Sequence, residues 1–400
     1  MYIMYDNSEK VITKEKIVGI MTTRKNIVIL GNASSIFVYN YCKEIIQEKY
    51  NIIIVSPYDG GIYKTRYNDL GVKIFVRPVK NNLLLFCLDV LGQNVKIINE
   101  CQKQGVDVLH MHYVCIHDLL LYIILWEKAR RKILTFWGTD LFREIKQNFC
   151  SKFFLRTSTK CVFMIEQNTK RFFEIFGNKY ANKIEIINLG NNNLTYIDNI
   201  LNEDMADNRE KCLTDRFVIH IGYNASKAQN HKEIIKAICM LDEETKSRIV
   251  CVLPFNYAKT SDYAGYKLEL CNILDENKID YYIEEQFLEG EKLAAFRCNV
   301  NLFILGHLTD GRSESPIEYV YSQVPFLCKK EVSENYNEIC VGDDDGYIVY
   351  ENYDEITNHV RKYVRGEYNL NYDAIEKRRE KIRHECSWDS YREEWRKLYE

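Results

Sequence analysis

Short apolar runs alternate with amphipathic stretches along almost the whole chain. The run NIVILG (26–31) precedes SIFVYNYCKEIIQEKY (35–50), in which Ile36, Tyr39 and Cys42 are spaced to share one face of a helix. This alternation is typical of a parallel sheet with helices on both faces, and it occurs twice. The sequence therefore predicts an α/β fold of two doubly wound, Rossmann-like domains that face a central cleft. The other predicted strands are 51–57, 71–77, 106–113, 132–138, 160–167, 184–191, 217–223, 248–255, 279–286, 298–305 and 324–330.

A polar, acidic stretch without apolar periodicity separates the two series of predicted strands. The chain has 400 residues, which is enough for two or three domains. We predict an N-terminal extension at 1–24, a first domain at 25–190, a linker at 191–216 and a second domain at 217–365. The remaining segment, 366–400, is predicted to form one charged amphipathic helix or a pair of helices.

The composition favours a cytoplasmic protein that binds no nucleic acid. The formal net charge is −3, which gives no general attraction for polyanions. The 14 cysteines include no C-x-x-C pair and lie mostly in apolar runs, so we expect reduced, buried thiols. The N-terminus lacks the apolar region of a signal peptide, and Met21 is a candidate natural start. The longest apolar run, LLLYIILW (119–126), is shorter than the ~18–20 residues that span a bilayer, and we predict a buried helix there.

Polar residues follow the predicted strands of the first domain, where ligands of such sheets bind. Gly31, in GNASS, is a candidate donor-binding residue because it permits a close approach of backbone to a ligand, although a tight capped turn explains it equally well. His110 and His112 share one face of their strand, and with His117 they allow a metal site as a weaker alternative. Asp140, in FWGTDLFR (136–143), either caps a helix or accepts hydrogen bonds from sugar hydroxyls.

A second loop of this kind, in HIGYNASKAQNHKEIIKAI (220–238), joins a strand to a helix in the second half. Amides, a hydroxyl and a lysine before a helix N-terminus suit a diphosphate, while the spacing of a Walker A loop is absent. The candidate diphosphate contacts are Gly222, Asn224, Ser226, Lys227, Asn230 and His231.

The stretch TDGRSESPIEYVYSQVP (309–325) carries two acids with seven residues between them, Asp310 and Glu318. A proline in the first turn predicts that a helix begins just before Glu318, which would point this carboxylate into the cleft. A carboxylate that accepts from two vicinal hydroxyls is a good clamp for a ribose. The backbone amides of the intervening loop would hold an anion or sugar hydroxyls. These amides belong to Gly311, Arg312 and Ser313.

These motifs resemble the GT-B glycosyltransferases whose second domain carries an E-x7-E motif. Asp310 stands at the first acid, Glu318 at the second, and Pro325 where the family's proline falls. The resemblance implies that Asp310 and the amides after it contact the donor sugar, and that Glu318 holds the ribose. FWGTDLFR resembles the family's HGTD segment with Trp137 in place of the histidine, so His112 becomes the candidate acceptor-side histidine. The catalytic candidates are His112, Asp140 and Asp310.

Further segments carry the same resemblance from about residue 25 to the C-terminus. DDDGYIVYENYDEI (343–356) resembles a family segment, and SWDSYREEWRKLY (387–399) resembles the terminal helix that crosses back to the first domain. FWGTDL and GYNASKAQNH are also similar to bacterial fucosamine-type transferases. The resemblance implies transfer of a sugar from a nucleoside-diphosphate donor to a glycan or lipid-linked acceptor in bacterial surface polysaccharide or glycoconjugate synthesis. It implies retention of anomeric configuration, no metal and no cofactor beyond the donor.

Two other functions fit the same architecture. A nucleotide-sugar epimerase shares the paired domains, and a catalytically degenerate partner or scaffold protein would explain Trp137 and Asp310. The basic and aromatic segment 151–180 suits contact with the inner face of the plasma membrane. For any single residue of that segment, we favour the simpler interpretation of a solvated helix that packs its phenylalanines inward.

Overall fold

The computed structural model describes residues 24–46, 49–77, 99–100, 105–138, 140–141, 148–206, 216–308, 313–337 and 346–400. The chain divides into two compact units. The first extends to Asn188 and also contains Arg392–Glu400, and the second is Leu189–Tyr391. No described helix is both long enough and apolar enough to cross a lipid bilayer.

The described part of the first unit is built on a seven-stranded parallel sheet with the order β3-β2-β1-β4-β5-β6-β7. Strand order reverses between β1 and β4, which is where ligands of doubly wound sheets bind. The strands are β1 (Lys25–Leu30), β2 (Tyr50–Ser56), β3 (Lys73–Val76), β4 (Val106–His112), β5 (Ala129–Phe136), β6 (Lys160–Phe163) and β7 (Ile184–Ile186). The helices are α1 (Ile36–Ile45), α2 (Lys64–Asp69), α3 (Leu119–Trp126), α4 (Phe149–Thr157) and α5 (Glu166–Phe176).

The described part of the second unit has a six-stranded parallel sheet with the order β10-β9-β8-β11-β12-β13, and its reversal lies between β8 and β11. Its strands are β8 (Phe217–Ile221), β9 (Ile249–Pro254), β10 (Tyr281–Glu284), β11 (Leu302–Leu305), β12 (Phe326–Lys329) and β13 (Tyr347–Tyr350). Its helices are α6 (Asn193–Ala206), α7 (His231–Cys239), α8 (Glu243–Ser247), α9 (Tyr263–Glu276), α10 (Glu291–Cys298), α11 (Glu314–Tyr321), α12 (Lys330–Ser333), α13 (Glu355–Val364) and α14 (Tyr372–Cys386). A last helix, α15 (Trp388–Lys397), follows.

The predicted α/β fold with two doubly wound sheets is confirmed. Apolar runs became strands because their residues are buried on both faces, as in β1, where Ile27, Val28, Ile29 and Leu30 have no exposed surface. The apolar run 119–126 forms α3, as predicted.

The structure differs from the prediction in the segment 191–216. Helix α6 occupies much of this predicted linker and belongs to the second unit. Leu194, Ile197 and Leu201 are buried in that unit's core. Their spacing of three and four residues places them on one face of a helix. The polar composition of the segment made this apolar pattern hard to recognise in the sequence.

The C-terminal segment forms two helices, α14 and α15, and Arg392–Glu400 pack within the first unit. The segment 151–180 is divided among α4, β6, α5 and a following 3-10 turn. Phe154 and Phe172 are buried in the core there, as the simpler interpretation predicts, whereas Phe149 just before the segment is exposed. Contact of this segment with a membrane stays a prediction.

Gly190 marks a close crossing of two chain segments in the second unit. A Cβ atom at this position would lie 2.3 Å from the backbone nitrogen of Trp388. One residue later, the backbone N–H of Asn191 donates to the carbonyl oxygen of Cys386 over 2.7 Å. These two contacts fix the position of Asn191, a residue of the site described next.

Candidate functional site

The loop after β8 in the second unit is tied to the end of the neighbouring strand β11. The backbone N–H of Gly222 donates to Ile304 over 2.9 Å, and the side-chain amide of Asn230 donates to the carbonyl oxygen of Gly306 over 2.6 Å. Gly222 has a φ of +65°, and a Cβ atom there would lie 2.7 Å from Nε2 of His231. The predicted loop from 222 to 231 is therefore held at the reversal point of the sheet.

Within this loop the polar side chains turn the backbone. Oδ1 of Asn224 accepts from the N–H of Ser226 over 2.9 Å, and Oγ of Ser226 accepts from the N–H of Ala228 over 3.3 Å. Such short-range bonds are typical of turns and caps. Asn224 and Ser226 thus shape the loop in this structure, and contact with a diphosphate stays a prediction for both.

His231 is fully buried at the first position of α7, and its Nδ1 lies 3.0 Å from the hydroxyl of Tyr266. Burial, followed by the neighbouring His307, lowers the pKa of His231 to about 3, so the ring is neutral at physiological pH. Lys227 is half-exposed and pairs with Asp262 over 2.6 Å. The loop therefore carries one half-exposed, ion-paired cation and one buried, neutral imidazole.

Buried Glu318 is the centre of a hydrogen-bonded network in the second unit. Its Oε2 accepts from Nε of Arg297 over 3.1 Å, and its Oε1 accepts from Nδ2 of Asn191 over 3.2 Å. Arg297 also donates to the hydroxyl of Tyr319 and, over 3.0 Å, to Oγ of Ser315. Every nitrogen of the guanidinium therefore has a partner on α11.

The two glutamates of α11 lie one turn apart and have different electrostatic environments. Burial raises the pKa of Glu318, while the charge and hydrogen bond of Arg297 and the amide of Asn191 oppose that rise. Burial raises the pKa of Glu314 to about 8, and the adjacent Glu318 adds to the effect. At neutral pH, Glu314 is therefore protonated, while Arg297 favours the ionised form of Glu318.

Ser313 directly precedes α11. Its Oγ lies 2.7 Å from the hydroxyl of Tyr223, and its backbone N–H donates to the hydroxyl of Tyr336 over 3.2 Å. The other predicted residues of this loop lie outside the described residues, so the structure does not describe their roles. They are Asp310, Gly311 and Arg312.

At the reversal point of the first unit, Gly31 and His112 are in close contact. A Cβ atom on Gly31 would lie 3.1 Å from Cβ of His112. His112 is buried, and neither ring nitrogen has a hydrogen-bond partner among the described residues. Its ring lies 4.3 Å from that of Tyr41, and burial lowers its pKa to about 3. The ring is thus a neutral hydrogen-bonding group with unused capacity and a weak base.

His110 has a different role from His112, although the predicted shared face brings their rings within 4.2 Å. Its Nδ1 lies 2.7 Å from the hydroxyl of Tyr399, and its Nε2 lies 2.6 Å from Oγ1 of Thr135. Nδ1 therefore holds the C-terminal segment onto the sheet, while Nε2 bonds the neighbouring strand β5. The described residues contain no group of three His, Cys, Asp or Glu side chains suited to a metal ion.

Asp140 is fully buried, and its oxygens accept from backbone amides. Oδ1 accepts from Trp137 over 3.0 Å and from Leu141 over 2.9 Å, and Oδ2 accepts from Val114 over 3.1 Å. Burial raises its pKa to about 6 against the effect of these bonds. Asp140 therefore shapes the loop after β5 in this structure, and both the capping of a helix and the binding of sugar hydroxyls stay predictions.

Sequence reasoning missed Arg297, Asn191 and Tyr319. A signal for the first was present, because Arg297 interrupts the apolar run LAAFRCNV just before a predicted strand. A charged residue in such a run requires a buried partner.

Comparison with known proteins agrees with this architecture. Residues 26–175 match the family model described as glycosyl transferase 4-like. No curated protein matches the sequence. A glycosyltransferase structure from Rickettsia africae superimposes with a TM-score of 0.69 at 15% identity, covering 94% of this chain and 98% of that one. The chain has the GT-B fold. The expected likeness to GT-B glycosyltransferases is thereby confirmed, and the likeness to fucosamine-type transferases stays a prediction.

Two further solved structures share this fold. HepE from Anabaena, crystallised with UDP and glucose, has a TM-score of 0.66 at 11% identity and covers 94% of this chain and 99% of its own. A UDP-GlcNAc 2-epimerase from Methanocaldococcus jannaschii has a TM-score of 0.56 at 14% identity, with coverage of 94% and 99%. A glycosyltransferase and an epimerase therefore share this fold.

Proposed function

We propose that this chain is a glycosyltransferase that moves a sugar from a nucleoside-diphosphate donor to a glycan or lipid-linked acceptor. The observation that carries the proposal is the carboxylate of Glu318, which is buried in the first turns of α11 and paired with Arg297. An ion pair of this kind costs desolvation energy, and a binding role for its spare acceptor capacity explains why it is present.

In this proposal the second unit binds the donor. Glu318 accepts from the ribose hydroxyls through the lone-pair positions that Arg297, Asn191 and the neighbouring Asn193 leave unused. HepE, which has the same fold, was crystallised with UDP and glucose. A uridine nucleotide is therefore the first donor class to test.

The diphosphate is proposed to lie between the loop after β8 and the start of α11. As the glycosidic bond breaks, charge develops on the diphosphate, and preorganised donors lower the barrier. Lys227, the neutral His231 and the backbone around Ser313 are the described groups proposed to act in this way. From the family resemblance, Asp310 contacts the donor sugar, and Gly311 and Arg312 contribute to the anion site.

The first unit is proposed to bind the acceptor at the reversal point beside Gly31. His112 orients the acceptor hydroxyl by hydrogen bonding, because its low pKa makes it a weak base. Asp140 contributes by holding the neighbouring loop. Retention of anomeric configuration, bacterial surface polysaccharide or glycoconjugate synthesis, and peripheral contact with the inner membrane face through 151–180 complete the proposal.

A nucleotide-sugar epimerase is the second candidate, favoured by the epimerase among the similar structures. Incubation with UDP-GlcNAc alone separates the two functions. An epimerase converts it to its C2 epimer without an acceptor, whereas the proposed transferase leaves its configuration unchanged.

Thermal unfolding with nucleotides tests the main proposal. Purified protein is melted with UDP, GDP, dTDP and CMP, beside Glu318→Ala and the control Asp198→Asn. Asp198 is a carboxylate of the same unit that pairs with Arg379 and Arg383. A nucleotide at 100 times its Kd stabilises the folded state by about 2.7 kcal/mol. We expect one nucleoside diphosphate to raise the Tm of the wild type and Asp198→Asn but not of Glu318→Ala. No response to any of them would contradict the proposal.

A further inference from the structure

We propose that Arg297 is the positioning residue of the donor site, holding Glu318 as an oriented, ionised carboxylate that recognises the ribose. The inference rests on the proposed function. Arg297 lies outside both predicted loops, and we assign to it the ionisation and orientation of the Glu318 carboxylate.

The guanidinium is immobilised on all sides. Arg297 is 2% exposed and Glu318 is 4% exposed, so the pair lies almost entirely out of water. Nε, Nη1 and Nη2 donate to Glu318, Tyr319 and Ser315, respectively. The guanidinium also lies over the Tyr319 ring, 4.3 Å from its centroid. A planar fork with fixed donors orients a carboxylate more strictly than a rotating ammonium group would.

The support for Arg297 extends into the sheet. The hydroxyl of Tyr319 accepts from Arg297 and lies 2.7 Å from Nδ1 of His220 on β8. Burial, with the charge of Arg297 second, lowers the pKa of His220, so its ring is neutral and Nδ1 can accept from the hydroxyl. The carboxylate is thus connected through two hydrogen-bonded side chains to the strand whose loop is proposed to hold the diphosphate.

Arg297 leaves acceptor capacity on Glu318. It bonds Oε2, the amide of Asn191 bonds Oε1, and the side chain of Asn193 also interacts with the carboxylate, so three neighbours share its four lone-pair positions. Asn191 is itself fixed, because its Oδ1 accepts from the N–H of Asn193 over 2.8 Å. A ribose hydroxyl can therefore be bound without displacing Arg297 or Asn191.

The charge of Glu318 depends on this arginine. Among the described residues, the other ionisable groups that face Glu318 are Glu314, one turn earlier on α11, Tyr319 beside it, and Tyr257 after β9. Ionised Glu314 would repel the Glu318 charge, and both tyrosines are neutral near pH 7, so within this set Arg297 supplies the favourable charge. Without it, a buried carboxylate takes up a proton and loses acceptor capacity for the ribose.

The test compares Arg297→Gln and Arg297→Lys with Arg379→Gln. Arg379 is a buried arginine of the same unit, ion-paired with Asp198 over 2.9 Å. Arg379→Gln therefore removes a buried ion pair without removing a hydrogen bond to Glu318. Affinities are measured for UDP and 2′,3′-dideoxy-UDP. If the melting panel selects dTDP, its 3′-deoxy form is used instead. All variants and the wild-type reference carry Glu314→Gln, because the pKa of Glu314 is about 8 and its ionisation would act on Glu318.

At pH 7 we expect Arg297→Gln to lose the preference for the hydroxylated nucleotide by about ten- to hundred-fold, the effect of one hydrogen bond to a charged group. Its UDP affinity should recover as the pH rises and Glu318 ionises. Arg297→Lys should retain part of the preference, and Arg379→Gln should keep it within about two-fold. A structural role alone would not produce this pH profile or the rescue by lysine.

Two results have separate meanings. If the wild type prefers UDP and Arg297→Gln keeps the same preference and pH profile, the inference about Arg297 is wrong and the proposed function stands. If no nucleotide binds to the wild type or to Arg379→Gln, the proposed function is wrong, and this inference falls with it. If Arg297→Gln does not fold, Arg297→Lys alone tests the inference. A preference for the hydroxylated nucleotide equal to that of the wild type would then show that the planar guanidinium is not needed.

Discussion

Replacement of Gly222 by alanine isolates the steric constraint at the candidate diphosphate loop. The residue has a φ of +65°, which costs an alanine about 1–2 kcal/mol. In addition, the new Cβ would lie 2.7 Å from Nε2 of His231 and 3.1 Å from Oε1 of Gln229. His231 is fully buried and contacts Tyr266, so it cannot move away without disturbing α7. Overpacking of this kind costs about 1–3 kcal/mol more. We expect a total destabilisation of about 2–5 kcal/mol.

Gly366→Ala is the matched control. Gly366 lies in the same unit with a φ of +68°, but a Cβ atom there would meet nothing within 4 Å. Gly366→Ala should therefore lower the free energy of unfolding only by the cost of the left-handed backbone conformation, about 1–2 kcal/mol. Urea unfolding followed by circular dichroism gives both values in one assay, provided that the m-values agree. Equal destabilisation by the two substitutions would refute the assigned contact between Gly222 and His231.

Two further predictions concern Glu314 and Gly190. Glu314 keeps its proton up to about pH 8 in the folded state but loses it near its ordinary pKa of 4.5 when unfolded. Stability should therefore fall as pH rises between these values, by at most about 1.4 kcal/mol per pH unit. Glu314→Gln should remove that fall in Tm measurements, and an unchanged slope would contradict the protonated state. Gly190→Ala places a Cβ 2.3 Å from the backbone nitrogen of Trp388, where neither backbone can yield. It should cost about 3 kcal/mol in urea unfolding, and a loss below ~1 kcal/mol would show that the crossing can relax.

The fold could be predicted because its signal is local. Apolar runs such as 26–31 are separated by helical stretches, and their repetition is enough to indicate two parallel sheets. The segment 191–216 was mispredicted because its apolar stripe has only a few members in an acidic, asparagine-rich background. A weak helical period is stabilised there by tertiary packing, which sequence patterns do not record.

The site was predictable only in part. The proline in the first turn placed Glu318 on a helix, and alternation placed His110 and His112 on one face of a strand. Their partners come from far along the chain. Tyr399 reaches His110 across 289 residues, and Asn191 reaches Glu318 across 127. Such pairings are decided by how elements pack. Local spacing therefore could not distinguish His110 from His112, whose ring nitrogens form no hydrogen bond with the described residues.

Hydrogen exchange with and without the nucleoside diphosphate that raises the Tm is the most direct test of a donor site around Glu318. We expect slower amide exchange in peptides covering 222–231 and 313–322, and no such slowing in Glu318→Ala. Exchange that is unchanged in both segments, or slowed only in peptides of the first unit, would contradict a donor site built around Glu318 in the second unit.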